Sequence, residues 1–371
     1  MTDQSLPATA TGEAVLHGLD LSYFTGKVQA YLRYAEIPHR FAEMDTAALR
    51  RAAQMTGMAQ MPAIELADGR WMTDSTAIIG WFDASGATTV PVTPTDPATA
   101  FLAALIEDYA DEWLWRPALH YRWSYPMDAW HMGRRIAAEM LRDVPGPLWL
   151  RQWGIIARQR HRYLARDGVT PATRAHVESL YLRNLDWPEA ILSRRPFLLG
   201  ERPSLADFGY FASMFRHFGL DPTPSRILRD RAPSVFLWLA RMWAARASRL
   251  SGPAPDQVPG DLDPILRDIG GAYLPYLADN ARAHAAGLST FDTVTEGVTY
   301  HLPPHPYRVW CLDQLQRRFE ALPEAAAATV RARLEATGAW DPLWAVRHPR
   351  SGFDPLDRLP FLTPGTAWAE R

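Results

Sequence analysis

The order in which the apolar pattern changes period between Ala14 and Ala84 constrains this chain more than any other feature. Ala14 to Gly18 is a short strand candidate that breaks into the turn Leu19-Asp20-Leu21-Ser22. Lys27 to Glu36 then carries Val28, Tyr31, Leu32 and Ala35 at helical spacing. Ile37-Pro38 ends that helix, because the residue before a proline is pushed out of the α region. His39 to Met44 reads as a second strand. A strand, helix and strand within roughly 30 residues close as a parallel pair with a right-handed crossover. Thr46 to Met55 is a short helical or irregular segment. Two apolar runs, from Met61 to Leu66 and at Trp71-Met72, flank Ala67-Asp68-Gly69-Arg70. Asp-Gly between such runs signals a hairpin. Asp74-Ser75 follows, and Thr76 to Phe82 returns to helical spacing with Ser75 at its N-terminal end.

The chemistry-bearing candidates sit at the corners of this pattern. Ser22 lies where a strand turns into a helix, so its hydroxyl faces the positive end of that helix, with Thr25 and Lys27 nearby. A serine at such a corner is commonly a helix cap. Asp74-Ser75 has the same two readings, a plain cap or an anion-binding helix start. Lys27 reads as a solvated surface charge in preference to a partner for a carboxylate.

The order β-α-β-(α)-β-β-α is the thioredoxin-like pattern, an α/β fold in which Pro62 opens the third strand and is expected to be cis. Residues 13–84 resemble the N-terminal domain of the glutathione transferase superfamily, serine type. Ser22 stands five residues before Lys27-Val28, as the serine of those classes stands before a basic-apolar pair. Met61-Pro62 matches the apolar-Pro pair, and Asp74-Ser75 matches the acidic-Ser pair that holds the γ-glutamyl end of glutathione.

The resemblance implies a glutathione transferase fold: a thioredoxin-like domain at 13–84, a linker at 85–96 and an all-helical domain at 97–250. A flexible tail at 1–12 and a mostly helical C-terminal extension at 251–371 flank these. Residues 98–123 form a long apolar and aromatic stripe broken at Pro117. Helices follow at Asp128 to Leu141, Pro147 to Arg166, Pro171 to Arg194 and Val235 to Ala247. Ser204 with Asp207 is a capping box, so Asp207 serves folding. In the extension, Ile265 to Ala286 reads as helical, Phe291 to His301 as a hairpin around Glu296-Gly297, and Tyr307 to Leu322 and Pro323 to Ala339 as helices. Residues 340–371 should lie over another surface.

The resemblance also implies an activity. A free thiol has a pKa near 8.5 or above, and a protein makes it a nucleophile by favouring the thiolate. Lowering the pKa by one unit needs about 1.4 kcal/mol. Ser22 is the expected hydrogen-bond donor to the glutathione sulfur, with Tyr23 and Thr25 as rivals. Met61, ahead of Pro62, would pair its backbone with the cysteinyl part of glutathione. Ser75 would take the γ-glutamyl carboxylate, Asp74 its ammonium, and Gln60 the glycyl end. Tyr109, Trp113, Arg116 and His120 share one face at 3–4 spacing, read as the wall of an apolar substrate pocket or as a dimer seam. The bland reading of that face is core packing.

The expected reaction is attack of glutathione, as co-substrate, on an apolar electrophile, in conjugation or in lyase or isomerase chemistry. The alternative is a non-catalytic member binding hydrophobic ligands or a protein partner. A homodimer is expected by resemblance. Reductive mixed-disulfide chemistry needs a cysteine at the Ser22 position, and the one cysteine, Cys311, is far along the chain. That single thiol and scattered histidines give no expectation of a metal. Lys plus Arg is 39 against 41 Asp plus Glu, so neither nucleic acid nor a membrane surface is expected as partner. The N-terminus has no signal pattern and no apolar run could span a bilayer, so the cytoplasm is the expected compartment.

Overall fold

A computed structural model describes residues 12–364. The tail expected at 1–12 therefore lies, all but its last residue, outside the described residues. The chain opens with β1 (Ala14–Gly18), α1 (Tyr23–Tyr34), β2 (His39–Glu43) and α2 (Thr46–Thr56). Then come β3 (Ala63–Glu65), β4 (Trp71–Thr73) and α3 (Ser75–Ala84). The sheet order is β2-β1-β3-β4, with β1 and β2 parallel and the other pairs antiparallel. This is the thioredoxin-like arrangement, and the Met61–Pro62 bond is cis.

A helical region follows: α4 (Pro97–Glu112), α5 (Trp115–Ser124), α6 (Pro126–Glu139), α7 (Leu148–Arg158), α8 (Arg174–Leu192), α9 (Leu205–Ser213), α10 (Pro222–Arg231) and α11 (Pro233–Ala244). The aromatic stripe breaks between Glu112 and Trp115, not at Pro117. Pro117 is the third residue of α5, where its missing N–H would have had no intrahelical partner. Helix α10 was not anticipated, since its polar sequence carries little apolar periodicity. The capping box is formed: Asp207 accepts from the Ser204 N–H at 3.0 Å, and also from Leu198 N–H and the Trp238 indole.

The remainder forms α12 (Asp263–Asp268), α13 (Leu274–Ala285), the hairpin β5 (Phe291–Thr295) and β6 (Val298–Leu302), α14 (Pro306–Glu320), α15 (Glu324–Thr337) and the short α16 (Trp340–Leu343). These elements do not stand apart. One contiguous apolar cluster runs from Ala14 in β1 through α4 and α9 to Leu343 in α16. Its centre is the α4–α9 contact. A methyl group on Gly209 would lie 2.7 Å from the Glu107 Cα, so only glycine permits that approach. Helices α14 and α15 pack on α4, and the chain then runs along the free edge of β4, where Thr73 donates its N–H to the Pro360 carbonyl at 2.9 Å. Phe361 packs edge-on to Trp81 of α3.

Candidate active site

The sheet register brings three loops to one end. His17 of β1 pairs with Ala63 of β3, which pairs with Thr73 of β4. Three loops leave this row or enter it: the turn to Ser22 follows β1, Met61-Pro62 precedes β3, and Asp74-Ser75 follows β4. Met61 takes no part in the ladder pairs, which begin at Ala63.

Ser22 is the N-cap of α1, with extended backbone, and its Oγ accepts from the Thr25 N–H at a long 3.3 Å. The cap reading is therefore correct, and it does not compete with the donor reading. Capping uses a lone pair of the hydroxyl and leaves its proton free to donate. Ser22 stays partly exposed.

Its two rivals point elsewhere. Tyr23 is buried and donates its hydroxyl to the Ala110 carbonyl at 2.6 Å. Successive helical residues diverge by about 100°, so Tyr23 faces α4 and the core, and the expectation of it as a thiol donor is corrected. Burial pushes its pKa well above the ordinary tyrosine value. Thr25 is not the cap but is capped, and its hydroxyl is pressed against Gly18, where a Cβ would lie 2.4 Å from the Thr25 Oγ1.

The Ser22 corner is clamped by two arginines that the sequence reading missed. The buried Arg122 guanidinium donates to the Leu21 carbonyl at 2.9 Å and to both oxygens of Asp221 at 2.8 Å. Arg216 donates to the carbonyl of Asp20 and, at 2.7 Å, to its carboxylate. Each is a charge-assisted bond holding the backbone just ahead of Ser22. Both partners come from distant helical residues, and no local pattern signals that contact.

Lys27 is wholly buried, which overturns the surface reading. Its ammonium donates to Glu107 and Asp111 on α4 and, at 3.1 Å, to Thr76 on α3. Burial draws the ammonium toward the neutral form, but the charges of Asp111 and Glu107 more than reverse this, so its pKa lies above the ordinary lysine value. Burial, with the neighbouring Glu107, drives Asp111 upward. The cluster ties the helix that starts at Ser22 to the helix that starts at Ser75.

Asp74 caps α3 in a left-handed conformation, φ 73°, which for a residue with a Cβ costs on the order of 1–3 kcal/mol. Its Oδ1 accepts from the Ala77 N–H at 3.1 Å and its Oδ2 from the Tyr307 hydroxyl of α14 at 2.8 Å. Burial raises its pKa. Both oxygens are thus engaged within the chain, and Asp74, expected to pair with the γ-glutamyl ammonium, accepts from Tyr307. Ser75, first residue of α3, is buried except for a small part, and its hydroxyl has no hydrogen-bond partner among the described residues. Gln60 donates its side-chain amide to the Thr73 hydroxyl at 2.9 Å.

The face of Tyr109, Trp113, Arg116 and His120 is core, not pocket wall. All four are buried, and the break after Glu112 leaves Tyr109 on α4, Trp113 in the break, and Arg116 and His120 on α5. Tyr109 donates to Asp268 at 2.5 Å, and Trp113 packs against Tyr273 and Tyr276. Arg116 lies over Trp113 and Tyr300 and donates to the Asp167 carbonyl at 2.7 Å. His120 pairs with Glu178 at 3.0 Å. The extension supplies four of these partners, filling the space the pocket would need. A neighbouring cavity of ≈ 30 Å³, lined by Thr76, Asp108, Tyr307 and Cys311 among others, has room for about one water. Burial raises the Cys311 thiol pKa well above its ordinary value, which suits an inert core cysteine.

Two family models match the chain. Glutathione S-transferase, N-terminal domain, covers residues 16–103, and Glutathione S-transferase, C-terminal domain, covers residues 171–241. No curated protein sequence matches. Among solved structures, a glutathione S-transferase from Pseudomonas fluorescens is 18% identical, covering 62% of this chain and 94% of its own, with a TM-score of 0.38. A beta-etherase from Sphingobium sp. strain SYK-6 is also 18% identical, covering 64% and 97%, with a TM-score of 0.43. A tau-class glutathione S-transferase from mango, Mangifera indica, is 14% identical, covering 63% and 90%, with a TM-score of 0.38. Residues 104–170, with most of α4 and all of α5, α6 and α7, and everything after residue 241 lie outside both family matches. Both domain models match in order along one thioredoxin-like and helical framework, so residues 16–103 and 171–241 are the N- and C-terminal domain regions of the glutathione S-transferase superfamily.

Proposed function

We propose that this protein binds glutathione at the end of its four-stranded sheet and uses Ser22 to favour the thiolate for attack on an apolar electrophile. The single observation that carries the reading is the row His17–Ala63–Thr73, from which the Ser22, Met61 and Ser75 loops all depart. A tripeptide spanning them meets a hydroxyl donor, backbone groups outside the ladder, and a helix N-terminus. The Ser22 proton and the α1 N-terminus stabilise the sulfur anion, and Ser22 keeps its proton throughout. The thiol proton passes to solvent; the thiolate electron pair then forms the carbon–sulfur bond as the leaving group departs with its bonding pair or, in addition, as the neighbouring atom takes a proton from solvent. The half-buried rings of Phe24 and Trp115, stacked 5.9 Å apart beside Tyr23, offer an apolar surface in place of the filled face on α4 and α5. A reducing compartment, the cytoplasm, suits a thiol co-substrate and a lone buried cysteine.

One observation favours a second reading. The Asp74 carboxylate is already satisfied by Ala77 and Tyr307. A non-catalytic member that keeps the fold and binds an apolar ligand or a protein would have this arrangement. Calorimetric titration of glutathione into the wild type and Ser22→Ala, with thiolate absorbance followed against pH, separates the two. The enzyme reading expects binding in both and a bound thiol in the wild type about one to two pH units below the free value, restored toward it by Ser22→Ala. No binding at millimolar glutathione would overturn it in favour of the second reading.

A further inference from the structure

The α6–α7 hairpin carries an exposed apolar surface that the glutathione site does not use. Trp149 and Trp153 are each 68% exposed, Trp130 60%, Met127 71% and Leu150 47%. Among the described residues no other tryptophan is exposed, and those at Trp113, Trp123 and Trp238 are fully buried. The hairpin's inner seam is closed, since a Cβ on Gly133 would lie 2.6 Å from the Ile156 side chain, and Gln152 donates to the Trp130 carbonyl at 2.8 Å. The tryptophans are therefore not displaced from a loose core. Trp149 and Trp153 stand four apart on one face of α7.

The same segment is basic. From residue 144 to 166 there are Arg151, Arg158, Arg160, Arg162 and Arg166 and no Asp or Glu. Arg158, Arg162 and Arg166 are exposed and form no ion pair among the described residues. Of the acidic groups next to the hairpin, Glu139 pairs with Arg135, while Asp128 accepts from Thr223 and Asp143 from the start of α2. The chain's net charge of −2 hides this local cation.

We infer that this hairpin docks on an anionic lipid surface, with Trp149, Trp153 and Trp130 at the headgroup boundary and the arginines on the phosphates. Indole rings prefer that boundary, and a helix with bulky apolar residues and arginines lies in it. Arginine stems cover apolar surface while their charges reach the phosphates. A second copy fits less well, because a two-fold contact would bury the same arginine-bearing surface from both sides, with no Asp or Glu between residues 144 and 166 to pair with it. Nucleic acid would satisfy the arginines but leave Met127 and Leu150 unused.

Flotation of the full chain with vesicles tests this, using phosphatidylcholine alone or equimolar with phosphatidylglycerol. Binding is expected to the anionic vesicles and to fall as salt is raised. Trp149→Ser with Trp153→Ser is expected to lower the bound fraction at least about tenfold, without a change in melting temperature, since both side chains are exposed. Arg158→Glu with Arg162→Glu is expected to remove the preference for anionic vesicles. The inference is overturned by absence of flotation with either vesicle, or by tryptophan variants that bind as the wild type does. A tryptophan-dependent dimer in light scattering, or oligonucleotide binding, with no flotation would likewise overturn it and assign the patch to that partner.

Discussion

Replacing Lys27 with methionine tests whether the helices that carry Ser22 and Ser75 are held by one buried cation. The substitution nearly conserves volume but leaves Glu107 and Asp111 facing each other in a site that water does not reach. Removing one partner of a buried ion pair costs about 3–5 kcal/mol, because the remaining charge is desolvated and uncompensated. In a chain of 371 residues that is a fall in Tm of roughly 4–6 °C. The pH dependence follows from the carboxyls. Without the ammonium that now holds it down, the already raised pKa of the buried Asp111 carboxyl climbs further above its unfolded value of about 4. The folded state then binds protons more tightly than the unfolded one. The deficit relative to wild type is therefore small in acid and grows as pH rises through the raised values. Thermal unfolding by circular dichroism at about pH 5 and about pH 8 reads both effects. Adding Glu107→Gln and Asp111→Asn should recover most of the loss at the higher pH. A fall under about 1 °C, or one of equal size at both pH values, would refute the argument that the charges, not the packing, make the site.

Tyr23→Phe should cost about 1 kcal/mol of stability through the lost bond to Ala110 yet leave the titration of bound glutathione unchanged; a raised thiol pKa would return Tyr23 to the site. Tyr307→Phe frees one oxygen of Asp74. It should lower stability by about 1.5–3 kcal/mol and tighten glutathione several-fold in calorimetry. Weakened binding in a folded variant would make Tyr307 part of the site. Helices α14 and α15 cover one side of α4, so a homodimer would have to use another surface. Light scattering on the intact chain that gives a monomer mass would end that expectation.

Features that short-range physics decides were legible before any folding. Asp68-Gly69 could only be a tight turn between strands, Ser204 with Asp207 could only cap a helix, and Ser22 and Asp74-Ser75 had to sit where helices begin. Those signals lie within four residues of what they control, and they sufficed to bring three loops of the candidate site to one end of a thioredoxin-like sheet. What a side chain faces across the molecule was decided only by the tertiary structure. Lys27 looked like a surface charge because its partners lie about eighty residues away on α4. Tyr109, Trp113, Arg116 and His120 have the spacing of a lined pocket, and a pocket wall has the same spacing as a core seam. Only the arrival of Asp268, Tyr273, Tyr276 and Tyr300 from the extension made it a core. The clamps of Arg122 and Arg216 on the Ser22 corner, and of Tyr307 on Asp74, are likewise long-range. Capping and turn formation are settled by neighbours in the chain, whereas burial and ion pairing depend on which distant surfaces meet, and that is a property of the packed molecule.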